Sequence, residues 1–382
     1  MLPAADVVLR FLEGVGRRSD AEFYLALFRA EAKESFAAIY VDANVARHAL
    51  DAVVLELSFL ASLGLSPVLV LGLLEPTDAV EHASRLRRKL ERSDVTARLV
   101  MTLDRAERAE ATAAACREGV VPVVPFLVTD GETAEDRFAA LAALLTTLAT
   151  RKLIILHRPG GLRVGGRLLQ LVNLTEDLPA LTGSRDLSRK QQAFLAQSRR
   201  LVLELVPHKL LVAIASPLDL LRELFTVKGA GTLLRRGALI GRHVGLVGLD
   251  RERLRSLLVS SFGRPPLEGF FDRPATVVYL EEGYRGAAIL VDTPLGSYLS
   301  KFAVEREAQG EGIGSDLWRC VEREHPTVFW RARAENPINA WYDRECDGLV
   351  RMGDWHVYWK GLAPSRIADA IAWALAAPVD LP

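Results

Sequence analysis

The 382-residue chain has few cysteines, few lysines and no tryptophan in its first 317 positions. Its three cysteines, Cys116, Cys320 and Cys346, are odd in number and widely spaced, and no Cys-x-x-Cys pair occurs. That excludes a disulfide framework and a cysteine zinc site, and points to reduced thiols in a cytoplasmic setting. The seven histidines form no His-x-x-x-His or His/carboxylate cluster, so no metal is expected. The chain carries no net charge, with 48 basic and 48 acidic residues, and so has none of the basic excess of a nucleic-acid-binding surface. No run reaches the roughly 18 uninterrupted apolar residues of a membrane span. The first 20 residues already include Asp6, Glu13 and Asp20, which suits neither a signal peptide nor a transit peptide.

Hydrophobic residues make up 50% of the chain, enough for a large core, and the length favours two domains. Composition divides it. All six tryptophans lie beyond residue 317 and five of the seven tyrosines beyond residue 270. The first 240 residues are instead rich in Ala, Leu and Val. We therefore expect one domain over 1–240 and a second over 248–382, joined by the turn-rich stretch Arg236–Asp250. In the first, β-branched runs at Phe36–Val41, Pro67–Leu71, Ala97–Met101, Val120–Pro125 and Lys152–Leu156 read as strands. Helical patterns alternate with them, including Ala4–Ala30 (split at Gly14 and Gly16) and Leu50–Leu63. That alternation predicts a mainly parallel sheet in a three-layer α/β domain. The second reads as α+β, with helices at Asp250–Ser261 and Gly312–Arg323. Its strands are expected at Thr276–Leu280, Ala287–Val291, Tyr298–Val304, Val328–Arg333 and Trp355–Trp359.

The residues suited to chemistry fall in the second domain. After the strand Tyr298–Val304 come Gln309-Gly310-Glu311-Gly312-Ile313-Gly314 and then a helix. A helix start presents unpaired amides and a positive dipole end to an anion, and glycine lets the backbone approach it closely. The spacing fits neither a nucleotide P-loop nor a dinucleotide fingerprint. Arg331 and Arg333 alternate on one strand and so share a sheet face, where guanidinium forks suit a carboxylate.

The Gln-x-x-Gly-x-Gly pattern resembles the coenzyme A pyrophosphate loop of the GNAT acetyltransferases. Three blocks narrow the resemblance: Tyr298–Val304, Phe329-Trp-Arg331-Ala-Arg333-Ala-Glu-Asn336-Pro-Ile-Asn339-Ala-Trp341-Tyr342, and Gly353-Asp-Trp355-His-Val-Tyr-Trp359-Lys-Gly361-Leu362. In order and spacing they resemble the acetyltransferase domain of the vertebrate-like N-acetylglutamate synthases. Phe11–Gly16 with Ala21–Leu25, and Glu223-Leu-Phe-Thr226-Val-Lys-Gly229-Ala-Gly231 through Gly237, resemble the same family's amino-acid-kinase domain. Ser300 and Ala340 stand where that family more often has an acidic residue and a proline.

The resemblance implies an amino-acid-kinase-like domain followed by a GNAT domain, with acetyl-CoA as cosubstrate and the amine of L-glutamate as acceptor. It implies cofactor contacts from Phe302, Val304, Gln309, Gly310, Gly312, Gly314 and Asn339. Substrate contacts would come from Lys301, Arg331, Arg333 and Asn336. The backbone amides near Phe302 and Val304 would polarise the acyl carbonyl, and Tyr342 would be the general acid. Asn336 and Asn339 also read as helix caps and Tyr342 as a core aromatic; the amine's base is Lys301 or a water. Arginine would act as an effector near Tyr24, Glu223 and Gly229, and the kinase-like domains would pair into a dimer or tetramer. Where an active acetylglutamate kinase has Lys-x-Gly-Gly, this chain has Tyr40-Val-Asp42-Ala43, and where the kinase has His-Gly-x-Gly it has Leu71-Gly72-Leu73-Leu74. The missing lysine and amide donors predict a catalytically dead kinase relic. The alternatives are a bifunctional synthase-kinase and a non-catalytic arginine sensor.

Overall fold

A computed structural model describes residues 36–379 except 128, 130, 227–228 and 273–276, together with Glu22, Leu25, Ala26, Phe28 and Lys33. Tyr24 and most of the expected N-terminal helix lie outside the described residues. The chain divides into two compact units, 1–236 and 237–382.

Unit 1 is built on β1 (Ala38–Val41), β2 (Val68–Leu71), β3 (Ala97–Leu99), β4 (Val121–Pro125) and β5 (Lys152–Leu156). A small hairpin, β6 (Arg163–Val164) and β7 (Arg167–Leu168), stands apart, and β8 (Leu171–Asn173), β9 (Leu211–Ala215) and β10 (Thr232–Arg235) complete the sheet. The order is β3-β4-β2-β1-β5-β9-β10-β8, parallel throughout except for the β9/β10 pair. Every residue of β1, β2 and β4 is buried, as expected for strands covered on both faces. One apolar cluster packs the helices Leu50–Ser62, Ala79–Glu91 and Leu220–Phe225 on one side of the sheet. A second packs Arg105–Arg117, Ala134–Thr147 and Arg189–Arg200 on the other, giving three layers. The periodicity places the first five strands to within two residues; β6 to β10 are additions to it.

Unit 2 contains β11 (Ile240–Val244), β12 (Val277–Glu281), β13 (Gly286–Thr293), β14 (Gly296–Val304), β15 (Val328–Arg333), β16 (Gly348–Met352) and β17 (Trp355–Lys360). Their order is β11-β12-β13-β14-β15-β17-β16, antiparallel except for β14/β15. β11 occupies the stretch read from sequence as a turn-rich join, and pairs residue for residue with β12. It lacks strand-like alternation because an edge strand buries little of either face. The helices of this unit are α1 (Arg251–Phe262), α2 (Ile313–Glu324), α3 (Asn339–Glu345) and α4 (Ile367–Ala376). The Asp250 carboxylate caps α1 by accepting from the amides of Glu252 and Arg253, and Gly263 ends it at φ 70°. In α2, Ile313, Leu317, Trp318 and Val321 form the buried stripe. No helix among the described residues is long and apolar enough to cross a membrane.

Candidate active site

β14 pairs with β13 along its whole length but with β15 only at Ser297↔Val328 and Tyr298↔Phe329. Beyond that point β15 continues beside β17, so the two parallel strands part and the β14 edge from Leu299 to Val304 faces the gap. A bulge sits at the parting. Leu299 opposes Leu290 and Lys301 opposes Ile289, which leaves Ser300 as the extra residue.

The bulge decides where the amides point. Ser297 donates its N–H toward β15, to the Thr327 carbonyl, whereas Glu305 donates its N–H the other way, to the Arg285 carbonyl ahead of β13. Regular alternation would send these two odd-numbered amides to the same side. The extra residue inverts the alternation, so past Ser300 the amides of Phe302 and Val304 face the gap. Two backbone donors two residues apart are what an acyl or amide carbonyl lying along this edge needs.

The glycine loop follows directly. A single 3-10 turn at Arg306–Ala308 leads to Gln309, Gly310 at φ 85° and Gly312 at φ 84°, both left-handed conformations that a side chain resists. Helical bonding begins with the Asp316 amide donating to the Gly312 carbonyl. The amides of Ile313, Gly314 and Ser315 therefore have no acceptor within the helix, and the positive end of its dipole adds to them. A Cβ on Gly286 would lie 2.5 Å from Ile313 Cγ2, so that glycine lets α2 seat against β13. Arg285 braces the loop, donating to Glu311 at 3.0 Å and to Glu281 at 2.7 Å. This start of α2 can hold a diphosphate.

The cationic residues lie on one face of the sheet. Phe329 and Tyr298 pack with α4, and Arg331 and Arg333 follow Phe329 at two-residue steps, placing them on the same face. Lys301 lies 5.7 Å from the Phe270 ring centroid and its ammonium donates to the Ser300 carbonyl at 3.1 Å. Arg331 and Arg333 differ. Arg331 Nη1 donates to the carbonyls of Ala374 and Leu375, and Nη2 to those of Ala377 and Pro378, at 2.8–3.0 Å. Its terminal donors thus hold the C-terminal end of α4. Among the described residues, the one ion partner of Arg333 is the exposed Asp354 carboxylate, at 4.0 Å, which leaves its fork available for a carboxylate ligand.

Tyr342, on α3, lies on the opposite face among the rings of Phe302, Trp330, Trp341 and Tyr358, with centroids 5.3–6.4 Å away. Burial, then the neighbouring Tyr358, raises its phenol pKa above the usual value, so the hydroxyl keeps its proton. That hydroxyl makes no hydrogen bond among the described residues. The Asn336 side chain accepts from the Ile338 amide at 3.2 Å in a local turn ahead of α3; the helix's N-cap is Ile338, so neither Asn336 nor Asn339 is the cap the sequence suggested. Asn339 is buried, and its amide nitrogen donates to the Arg333 and Ala334 carbonyls at 2.8 and 3.0 Å. Its Oδ1 is buried with no partner, an acceptor that suits an N–H of a bound ligand.

In unit 1, Glu223 and Gly229 do come together. The Glu223 carboxylate accepts from the amides of Ala230 (2.9 Å) and Gly231 (3.2 Å) and lies 3.4 Å from the Lys152 ammonium. A Cβ on Gly229, at φ 63°, would stand 2.6 Å from Glu223 Oε2, so only glycine permits this approach. In the Tyr40-Val-Asp42-Ala43 stretch, Asp42 is fully buried and paired with Lys190 at 3.0 Å, and Lys190 also meets Glu75 at 2.6 Å. Burial draws the Lys190 pKa down, but these two carboxylates outweigh it and leave it raised. An acidic pair consuming a lysine is the reverse of a phosphate site.

Two features escaped the sequence reading. The bulge at Ser300 has no local signature, because it is a matter of register. The indole of Trp355 carries both arginines, at 4.1 and 4.3 Å from its ring centroid, and only the strand pairing brings it there.

Residues 241–374 match the family model of the N-acetyltransferase of N-acetylglutamate synthase. The mitochondrial N-acetylglutamate synthase of Mus musculus is 34% identical over 376 residues, covering 87% of this chain and 71% of the mouse protein. The acetylglutamate kinase of Xylella fastidiosa strain Temecula1 is 30% identical over 400 residues, covering 89% of this chain and 93% of its own. The crystal structure of N-acetylglutamate synthase from Neisseria gonorrhoeae, complexed with coenzyme A and L-arginine, superposes with a TM-score of 0.52 at 16% identity. That match covers 90% of this chain and 98% of the other.

Proposed function

The chain belongs to the N-acetylglutamate synthase family, and from that membership we infer that it transfers the acetyl group of acetyl-CoA to the amine of L-glutamate. The observation that carries this reading is the row of amides on the parted β14 edge, continuous with the glycine-rich start of α2 and flanked by arginines. The residues fit the cosubstrate. The open amides of Ile313, Gly314 and Ser315, reached over the glycine turns at 310 and 312 with Gln309 at the loop's head, would hold its diphosphate, and Asn339 Oδ1 would accept from its pantetheine arm. When bound, it supplies a thioester already activated for transfer.

The chain's own groups have three tasks. Phe302 and Val304 N–H donate to oxygen as charge develops on the acyl group, from positions fixed before the reaction starts. The Tyr342 phenol, kept protonated by burial, donates a proton to the departing sulfur. Lys301, Arg333 and Asn336 orient a dicarboxylic amino acid, and Lys301 or a water takes the amine's proton. Arg331 reaches the substrate only by exchanging its hold on α4.

For regulation, we propose that arginine binds unit 1 beside Glu223 and Gly229, with Tyr24 contributing. A relative crystallised with L-arginine supports this. We also propose a homodimer or tetramer, and a cytoplasmic location in keeping with Cys116, Cys320 and Cys346 forming no disulfide. The kinase named among the relatives keeps a bifunctional reading in view, and the Asp42–Lys190–Glu75 cluster weighs against it. The test is coenzyme A release measured across the amino acids, with and without arginine. Release that requires L-glutamate is the expected result, and turnover with no amino acid at all would sink the proposal.

A further inference from the structure

Trp355 opens β17 directly opposite Arg333 of β15, and Arg331 lies one diagonal step away, opposite Val357. Facing and diagonal positions of a strand pair share a sheet face, and long side chains reach across them. Accordingly the guanidinium carbon of Arg331 lies 4.1 Å from the indole centroid and that of Arg333 4.3 Å. The two cations differ in what else they hold. Arg331 is fixed by four carbonyls at the end of α4. Arg333, with 40% of its side chain exposed, has among the described residues only the distant Asp354 carboxylate besides the indole.

A free arginine side chain must lose rotamer freedom to grip a ligand, and a surface that pre-sets its orientation removes much of that cost. A planar guanidinium stacked on an aromatic face keeps its N–H fork pointing along the ring plane, available for bidentate contact. We propose that Trp355 is a positioning residue of the acceptor site: steadied by Arg331, its indole holds the Arg333 fork ready for one carboxylate of the amino-acid substrate. This rests on the acetyltransferase reading above. It divides two arginines that look equivalent in sequence into an anchor and a ligand.

The test uses the full chain and steady-state kinetics in both substrates, with thermal melts alongside. Trp355→Leu removes the π face but keeps bulk, and is expected to raise KM for L-glutamate about tenfold, with KM for acetyl-CoA within twofold of wild type. Trp355→Phe is expected to recover most of the glutamate KM. Arg333→Lys, which leaves the indole in place, should raise glutamate KM with little change in melting temperature. Arg331→Ala should lower the melting temperature. Equal kinetics for the Leu and Phe variants, or a rise in both KM values together with a lower melting temperature, would show a purely structural role and overturn the proposal. So would an unchanged glutamate KM in Arg333→Lys, a readout that stands even if Trp355→Leu does not fold. If the wild-type chain releases no coenzyme A with L-glutamate, the functional reading fails first and this proposal with it.

Discussion

Replacing Tyr342 by Phe separates catalysis from packing more cleanly than any other change in unit 2. The ring touches Phe302, Trp330, Trp341 and Tyr358, and phenylalanine keeps all four contacts. The deleted hydroxyl makes no hydrogen bond among the described residues, so the usual net loss of about 1 kcal/mol for a broken bond does not apply. Stability should stay within about 0.5 kcal/mol of wild type. A positioned proton donor, by contrast, contributes roughly 10²–10⁴ in rate. That corresponds to about 3–5 kcal/mol on the barrier. Tyr342→Ala is the contrast, because emptying an aromatic site of this kind costs about 3–5 kcal/mol of stability as well. The assay is coenzyme A release at saturating acetyl-CoA and L-glutamate, with melting curves on the same samples. Because burial raises this phenol's pKa, wild-type kcat should show no loss from Tyr342 ionisation below about pH 10. A kcat within threefold of wild type in Tyr342→Phe, or a fall in melting temperature that parallels the rate, would refute the assignment.

Gly312→Ala forces a side chain into φ 84° and adds about 1–2 kcal/mol of strain where the helix start must stay open. We expect a higher KM for acetyl-CoA with KM for glutamate unchanged, read by varying each substrate in turn. Glu56 is buried and its pKa is raised to about 7, chiefly by desolvation, although the Leu221 amide donates to it. The folded state therefore holds its proton more tightly than the unfolded chain, and stability falls as pH rises from about 4.5 to about 7, by roughly 3 kcal/mol. Glu56→Gln should flatten that dependence in denaturant titrations and stabilise the protein at pH 8. Lys190→Ala leaves the fully buried Asp42 without its ion partner, a loss of about 3–5 kcal/mol, and Asp42→Asn combined with Lys190→Met should restore most of it. If unit 1 is a relic, no variant or wild type will phosphorylate N-acetylglutamate with ATP, and robust turnover in that assay would reject the relic reading.

Much of this protein is legible from residue order alone. Apolar runs bounded by turn residues locate the parallel strands of unit 1, because a strand buried on both faces must be apolar throughout. The buried stripe of α2 and the glycines at 310 and 312 announce a helix whose first amides are open. The spacing from Tyr298 through Tyr342 to Leu362 identifies the family. These are properties of neighbours in the chain, and local periodicity and backbone freedom suffice to express them. Strand register is different. Nothing near Ser300 declares that it is the unpaired residue, yet that single offset turns the Phe302 and Val304 amides toward the gap. Arg331 and Arg333 look alike as a pair, and only the arrival of α4, 43 to 47 residues further on, commits the first to backbone carbonyls. Trp355 reaches both only because β17 folds back against β15. Pairing and docking are decided by the free energy of the whole sheet and its covering helices, so the site's open donors and its anchors become distinguishable only in the folded chain.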